Sequence, residues 1–191
     1  LARLRNRGLG VSPYSPVSRL YRNLLYLDLE AVPELADSPE AQALLGSAEM
    51  AAERAALRAT TRIDHARVLA FKRKVLDVLY RAFARTHRER DTEQGRAYDA
   101  FRAREGEALV DFATFCALEE HLAAGEDRHL PWAAWPAPLR DPRSSEVARF
   151  REAHAGDVAL HAWIQFEIDR QLALAEQTAR DAGLNLGIYQ N

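Results

Sequence analysis

Between Val68 and Phe83, large apolar side chains return every three or four residues: Val68, Phe71, Val75, Leu79 and Phe83. At 3.6 residues per turn they form one stripe, which a helix must bury against something. A second such stripe comes later in the chain, with Leu160, Ile164, Ile168, Leu172, Ala175 and Ala179 on one face and Trp163 and Phe166 widening it. Two long amphipathic helices leave little room for a sheet-dominated chain. Alanine, leucine, glutamate and arginine, the strongest helix formers, dominate the 191 residues, and runs of β-branched residues are nearly absent. The expected class is mainly α, with room for one ordinary domain or part of a larger one.

Helix ends are marked as well. Asp64 suits an N-cap for a helix over 64–86. Residues 107–124 read as another, with Leu109, Phe112, Phe115, Cys116 and Leu122 inward and Gly125 just past its end. A shorter helix is expected over 92–104. Gly156-Asp157 and Gly183 bracket the second stripe, and Ser38-Pro39-Glu40 opens a helix reaching about Leu57. Two places break the pattern. Leu25, Leu27 and Leu29 alternate, which fits a short strand over 24–30. Leu184-Asn185-Leu186-Gly187-Ile188-Tyr189 comes after a helix and a glycine, the order of an α/β barrel repeat. Residues 125–146 hold four of the eight prolines and two of the three tryptophans, so an ordered non-helical connection packed by its own aromatics is expected there.

Charge and motifs exclude several functions. With 26 basic against 28 acidic residues the net charge is −2, without the basic footprint of a nucleic-acid protein. Cys116 alone cannot form an internal disulfide or a cysteine zinc site, and points to a reducing compartment. There is no run of about 18 apolar residues to span a membrane. Residues 1–11 lack the apolar core of a signal peptide, so a soluble, cytoplasmic chain is expected, and a start at Leu1 rather than Met fits a fragment. Gly8-Leu9-Gly10 lacks the third glycine and the preceding strand of a dinucleotide fingerprint. Glu119-Glu120-His121 are helix neighbours that point apart and cannot converge on one ion. His154 and His161 have no third ligand at suitable spacing, so no metal and no cofactor is expected. Trp132 and Trp135 beside prolines suit either a sugar-stacking platform or, the favoured reading, anchors that pin a long loop; Trp163 reads as core.

Residues 10–23 (GVSPYSPVSRLYRN) are less ordinary. Prolines on both sides of Tyr14 fix the backbone and pre-orient its ring and hydroxyl. Ordered Ser and Tyr hydroxyls suit a hydroxyl-rich ligand; an ordinary surface turn is the other reading.

This loop and the residues C-terminal to it resemble the 4-α-glucanotransferases (amylomaltases, disproportionating enzymes) of glycoside hydrolase family 77. The family's Gly-Asp-Ser-Pro-Tyr-Gln loop, Ser-x-x-x-x-Asn stretch and short strand match Gly10 to Ser15, Ser18 to Asn23, and Leu27-Asp28-Leu29-Glu30. Ile63-Asp64-His65-Ala66-Arg67-Val68 with Lys72 is similar to its Val-Asp-Tyr-x-x-Val…Lys helix start. Phe112 to Leu118 resembles its Phe-x-x-Phe-x-x-Leu helix, and Trp135-Pro136 with Leu139-Arg140-Asp141 its Trp-Pro…Leu-Arg-Asp connection. Phe166 to Gly183 is similar to its next barrel helix.

The resemblance implies a fragment of a (β/α)8 TIM-type barrel with a helical inserted subdomain. Residues 1–30 would supply an acceptor-side loop and a short barrel strand, 31–156 the helical subdomain, and 157–191 a barrel helix and strand. It further implies transfer of α-1,4-glucan segments between maltooligosaccharides by a retaining double displacement. The family's catalytic carboxylates lie on later strands, so no catalytic residue is expected in this chain, and neither Glu30 nor Glu167 replaces them. Ser12 and Tyr14 match loop residues that contact the acceptor-side sugar. Val11, Ser15, Leu24 and Asn191 depart from the family's Asp, Gln, Pro and Asp at their positions. The other reading is a non-catalytic helical structural or interaction module, whose apolar faces favour self-association.

Overall fold

A computed structural model describes residues 18–88, 90–124 and 131–184, and the regular secondary structure among them is helical, with no strand. Seven α-helices run in order: α1 (Glu34–Asp37), α2 (Pro39–Gly46), α3 (Ala48–Arg58), α4 (His65–Phe83), α5 (Glu93–Ala124), α6 (Ser145–Ala153) and α7 (Ala155–Asp181). The chain falls into two compact units, one of Leu1–Ala97 with Ile164–Asn191, the other of Tyr98–Trp163.

In the first unit, α4 is the central helix. Asp64 caps it by accepting the Arg67 N–H at 3.1 Å, as expected. Val75, Leu76, Val78, Leu79 and Phe83 are buried, while Val68 and Phe71 at its start are half-buried. Helices α1, α2 and α3 pack against it. From α7 this unit receives Ile164, Phe166 and Ile168, all buried. The helix expected from Ser38 to about Leu57 is two helices. Ser38 caps α2, and Ser47 adopts an extended backbone and caps α3 by accepting the Met50 N–H. Alanine, leucine and glutamate on both sides keep the helical pattern running across a break that one serine creates.

Helix α4 leaves through a π-helical turn, Ala84–Arg88, and Thr92 starts α5 with its hydroxyl 2.8 Å from His87 Nδ1 and accepting the Gly95 N–H at 3.0 Å. Only glycine fits position 95, since a Cβ there would lie 2.2 Å from the His87 carbonyl oxygen. The two helices expected over 92–104 and 107–124 are the halves of α5. Gly106, at φ 59° and ψ −142°, is the break between them.

The second unit packs Leu118, Trp135 and Val147 at its centre, with Phe115, Leu122, Leu139 and Phe150 around them. The inward face of α5 here is Leu109, Ala113, Thr114, Ala117 and Leu118; Phe112, Phe115 and Cys116 are half-buried, a rotation of the face expected from the sequence. Ala113 and Ala117 are buried, so the burial stripe runs through small side chains rather than the largest ones. The connection from Pro131 forms two short 3-10 turns, Trp132–Ala134 and Ala137–Leu139. Helix α6 has no counterpart among the expected helices. Ser144 caps it through the Val147 N–H. Gly156 lies inside α7 rather than ahead of it, because the chain breaks at His154 (φ −118°, ψ 33°) instead. Gly183 closes α7 as expected, with the Leu184 N–H donating to Ala179 O. The strand expected over 184–189, the loop start at 125–130 and Gly125 lie outside the described residues, apart from Leu184. No described helix is long and apolar enough to cross a membrane.

Candidate functional site

The segment that follows the Ser-Pro-Tyr motif is fastened by side chains from α4 and α7. Ser12 and Tyr14 themselves lie outside the described residues, as do Gly8 to Gly10 and Tyr189 to Asn191. From Ser18 onward the backbone is described, and it is not the strand that alternation in 24–30 predicts. Leu24–Tyr26 is a 3-10 turn, and buried side chains fall at Tyr21, Leu24 and Leu27, then at Leu29 and Val32. A spacing of three, then two and three, matches no pleated strand.

Without a strand partner, the buried backbone polar groups need other partners. Side chains provide them. Gln165 on α7 both accepts the Arg22 N–H at 3.1 Å and donates to the Arg22 carbonyl at 2.8 Å. Six residues on, Gln171 does the same for Asp28, at 2.8 Å each way. Lys72 on α4 donates to the carbonyls of Leu25 and Leu27 at 2.7 and 2.6 Å, and Arg170 to that of Ala31 at 2.6 Å. Ser18 accepts the N–H groups of Leu20 and Tyr21, and Asn23 accepts that of Leu25. The Ser18-to-Asn23 pattern therefore has a physical content: each residue closes a turn.

Sequence reasoning missed Gln165, Gln171 and Arg170. Nothing local marks them, since each glutamine meets a backbone partner 143 residues away in the chain. Burial holds the Lys72 ammonium below the usual lysine range, although the Asp28 charge opposes this. Replacing Lys72 by methionine keeps the stem but strands two carbonyls, and should lower stability by about 2 kcal/mol in denaturant titrations. A cost near zero would mean that water satisfies Leu25 and Leu27 instead.

The first unit also holds two buried carboxylates, Glu34 and Glu167. Glu167 is fully buried, with one carboxylate oxygen accepting from Arg170 at 3.0 and 2.9 Å and the other without a hydrogen-bond partner. Glu34 accepts from Gln94 at 2.7 Å, and His87 Nε2 lies 3.6 Å from the same oxygen. Burial raises the pKa of both carboxylates, that of Glu34 to about 7. Glu30 stands at the surface, 4.0 Å from Arg54.

In the second unit the two tryptophans of the connection divide. Trp135 is buried and stacks on Phe115 at 5.0 Å, the packing anchor expected of both. Trp132 is 52% exposed and lines a cleft of about 230 Å³. Glu119, Glu120 and His121 do not converge: Glu120 lies 3.4 Å from His161, whereas the His121 ring meets Phe150 and His154. Among the described residues no three His, Cys, Asp or Glu side chains are placed to hold a metal ion. Burial, with Glu119 and Glu120 nearby, pushes the Cys116 thiol well above its ordinary pKa, so it carries little thiolate at neutral pH.

The model of glycoside hydrolase family 77, described as 4-alpha-glucanotransferase, matches residues 2–190. The chain belongs to the 4-alpha-glucanotransferase family. It is 41% identical over 187 residues to the 4-alpha-glucanotransferase of Mycobacterium tuberculosis, covering 96% of this chain and 24% of that protein. The 4-alpha-glucanotransferase of Haemophilus influenzae is 26% identical, covering 93% of this chain and 26% of its own length. Among solved structures, the amylomaltase of Corynebacterium glutamicum is similar over 96% of this chain and 22% of its own, with a TM-score of 0.65 and 29% identity. The chain thus spans about a quarter of the length of these 4-alpha-glucanotransferase relatives. The family resemblance read from the ordered motifs holds along nearly the whole chain.

Proposed function

We propose that this chain forms the acceptor-side start of a 4-α-glucanotransferase, an enzyme that moves α-1,4-glucan segments between maltooligosaccharides. The observation that carries the reading is the family match over residues 2–190. In this reading the chain belongs to a (β/α)8 TIM-type barrel of a cytoplasmic enzyme. Residues 1–30 lead into it, 31–156 form the inserted helical subdomain, and 157–191 supply a barrel helix and strand.

The transfer is a retaining double displacement. One carboxylate attacks the anomeric carbon while a second protonates the leaving oxygen, giving a covalent glycosyl-enzyme. The second carboxylate then activates the acceptor hydroxyl, which displaces the first. Both carboxylates sit on later barrel strands of the family and outside this chain. Glu167 is unsuited to either role, being fully buried and held by Arg170. What these residues contribute is acceptor binding: Ser12 and Tyr14 contact the sugar whose 4-hydroxyl attacks. The fastening of Arg22, Leu25, Leu27, Asp28 and Ala31 by α4 and α7 gives that loop a rigid base, which lowers the ordering cost of binding.

The test is maltooligosaccharide binding by wild type and by Tyr14→Ala. Binding that weakens about tenfold or more in the variant supports the assignment. Equal binding removes Tyr14 from the acceptor site.

A further inference from the structure

Trp132 is unusual for the second unit. Pro131 starts its 3-10 turn, and the Arg140 guanidinium donates to the Ala133 carbonyl at 3.2 Å across that turn, so the indole is displayed from a fixed backbone. Three residues on, Trp135 is buried, which shows that the unit has a core for an aromatic from this connection. Packing among the described residues therefore accounts for Trp135 and not for Trp132.

The lining of the cleft that Trp132 borders is mainly apolar and includes four polar side chains, Asp111, Thr114, Arg140 and Arg151. Arg151 donates to Asp111 at 2.5 Å and to Thr114 at 2.9 Å, and Arg143 reaches Asp111 at 3.4 and 3.3 Å. Asp111 and Arg151 are each only about a quarter exposed, so both are held in place before any ligand arrives. A carboxylate has about four acceptor positions and a guanidinium five donors, so this pair retains unused capacity at the cleft. The volume, about 230 Å³, is smaller than the range that encloses a drug-sized molecule.

One exposed aromatic face, one fixed carboxylate–guanidinium pair and one small cleft match a particular ligand chemistry. A hexose ring presents an apolar C–H face to the indole, and vicinal hydroxyls that donate to a carboxylate and accept from a guanidinium. We propose that the cleft bounded by Trp132, Asp111, Arg140 and Arg151 is a glucan-binding site that takes one glucosyl unit of an α-1,4-glucan. The choice of glucan rather than another hexose polymer rests on the proposed 4-α-glucanotransferase function. An apolar peptide fits less well, because it offers no hydrogen-bond partners to Asp111, Arg140 and Arg151 in the lining.

The experiment is calorimetric titration of maltoheptaose, with cellohexaose as the β-linked control. It uses Tyr14→Ala as the parent so that the acceptor loop does not contribute. The parent should bind maltoheptaose saturably, and cellohexaose should bind more weakly. Adding Trp132→Ala should weaken maltoheptaose binding about tenfold or more, whereas adding Trp132→Phe, which keeps an aromatic face, should retain most of it. Trp132 is half-exposed, so the folded state should survive both changes, and near-ultraviolet circular dichroism checks this. Undiminished binding after Trp132→Ala overturns the proposal. So does the absence of saturable binding in the Tyr14→Ala parent, or a cleft that takes up the apolar dye ANS but not maltoheptaose. The comparison of wild type with Tyr14→Ala judges the acceptor loop separately, so either assignment can fail while the other stands.

Discussion

Phe83→Ala should destabilise the protein by about 3–5 kcal/mol, the largest loss expected from a single side-chain truncation in the first unit. Phe83 has no exposed surface and ends the apolar stripe of α4. Its ring lies 6.4 Å from that of Tyr80, 5.3 Å from the His87 imidazole and 6.5 Å from Phe166 on α7. Removing it takes away the burial of a phenyl group and leaves a cavity where three elements meet. Those neighbours are themselves fixed, so the gap closes only partly. Phe71, on the same stripe but half-buried, should cost distinctly less. Denaturant titration of both variants checks this. A loss below about 1 kcal/mol at Phe83 would show that the stripe does not carry the packing of this unit.

The second large effect is on pH dependence. Burial raises the Glu34 pKa to about 7 from an ordinary 4.5; the Glu167 charge adds to this, and Arg170 and Gln94 oppose it. Between those two pH values the folded protein holds a proton on Glu34 that the unfolded chain has released. The unfolded state then binds fewer protons, so stability falls as pH rises across the interval. The contribution is fully present below about 4.5 and is lost as pH rises through about 7. Glu34→Gln keeps an oxygen for Gln94 and cannot ionise. It should match wild type near pH 4.5 and be about 3 kcal/mol more stable at pH 9. For a chain of this length that is a Tm difference of roughly 6–12 °C. His87 works in the opposite direction, because burial lowers its pKa and protonation at low pH then favours unfolding. Both proteins carry His87, so the difference between their melting curves reports the Glu34 carboxyl together with its contact to His87. A difference that does not change between pH 4.5 and 9 would mean that Glu34 stays ionised in the fold.

How much of the fold is legible in the sequence depends on the range of the interactions involved. The α4 stripe, the Asp64 cap, the end of α7 at Gly183 and the break between the halves of α5 rest on residues within a few positions of one another. Segment 24–30 fails for the opposite reason. Its leucines alternate locally, yet the groups that satisfy its backbone come from Lys72, Gln165, Arg170 and Gln171, far along the chain. The Ser47 break and α6 escape a sequence reading although their capping serines are plain in it, because a helix-forming background masks the first and a Pro-rich connection the second. The tryptophans show a different limit. Trp132 and Trp135 look alike in sequence, and only tertiary packing separates the buried one from the displayed one. The family is readable because its motifs recur in order; the hydrogen bonds from α4 and α7 that fasten residues 22–31 are not.

In the proposed function these residues supply acceptor-side structure to a 4-α-glucanotransferase whose catalytic carboxylates lie elsewhere. Incubation of purified residues 1–191 with maltotriose tests it most directly, monitoring glucose release and the appearance of longer oligomers. No turnover is expected from these residues alone, and turnover is expected from a longer chain that joins them to the family's later barrel strands. Glucose release by residues 1–191 alone would place the nucleophile and the acid/base within them and overturn the proposed division.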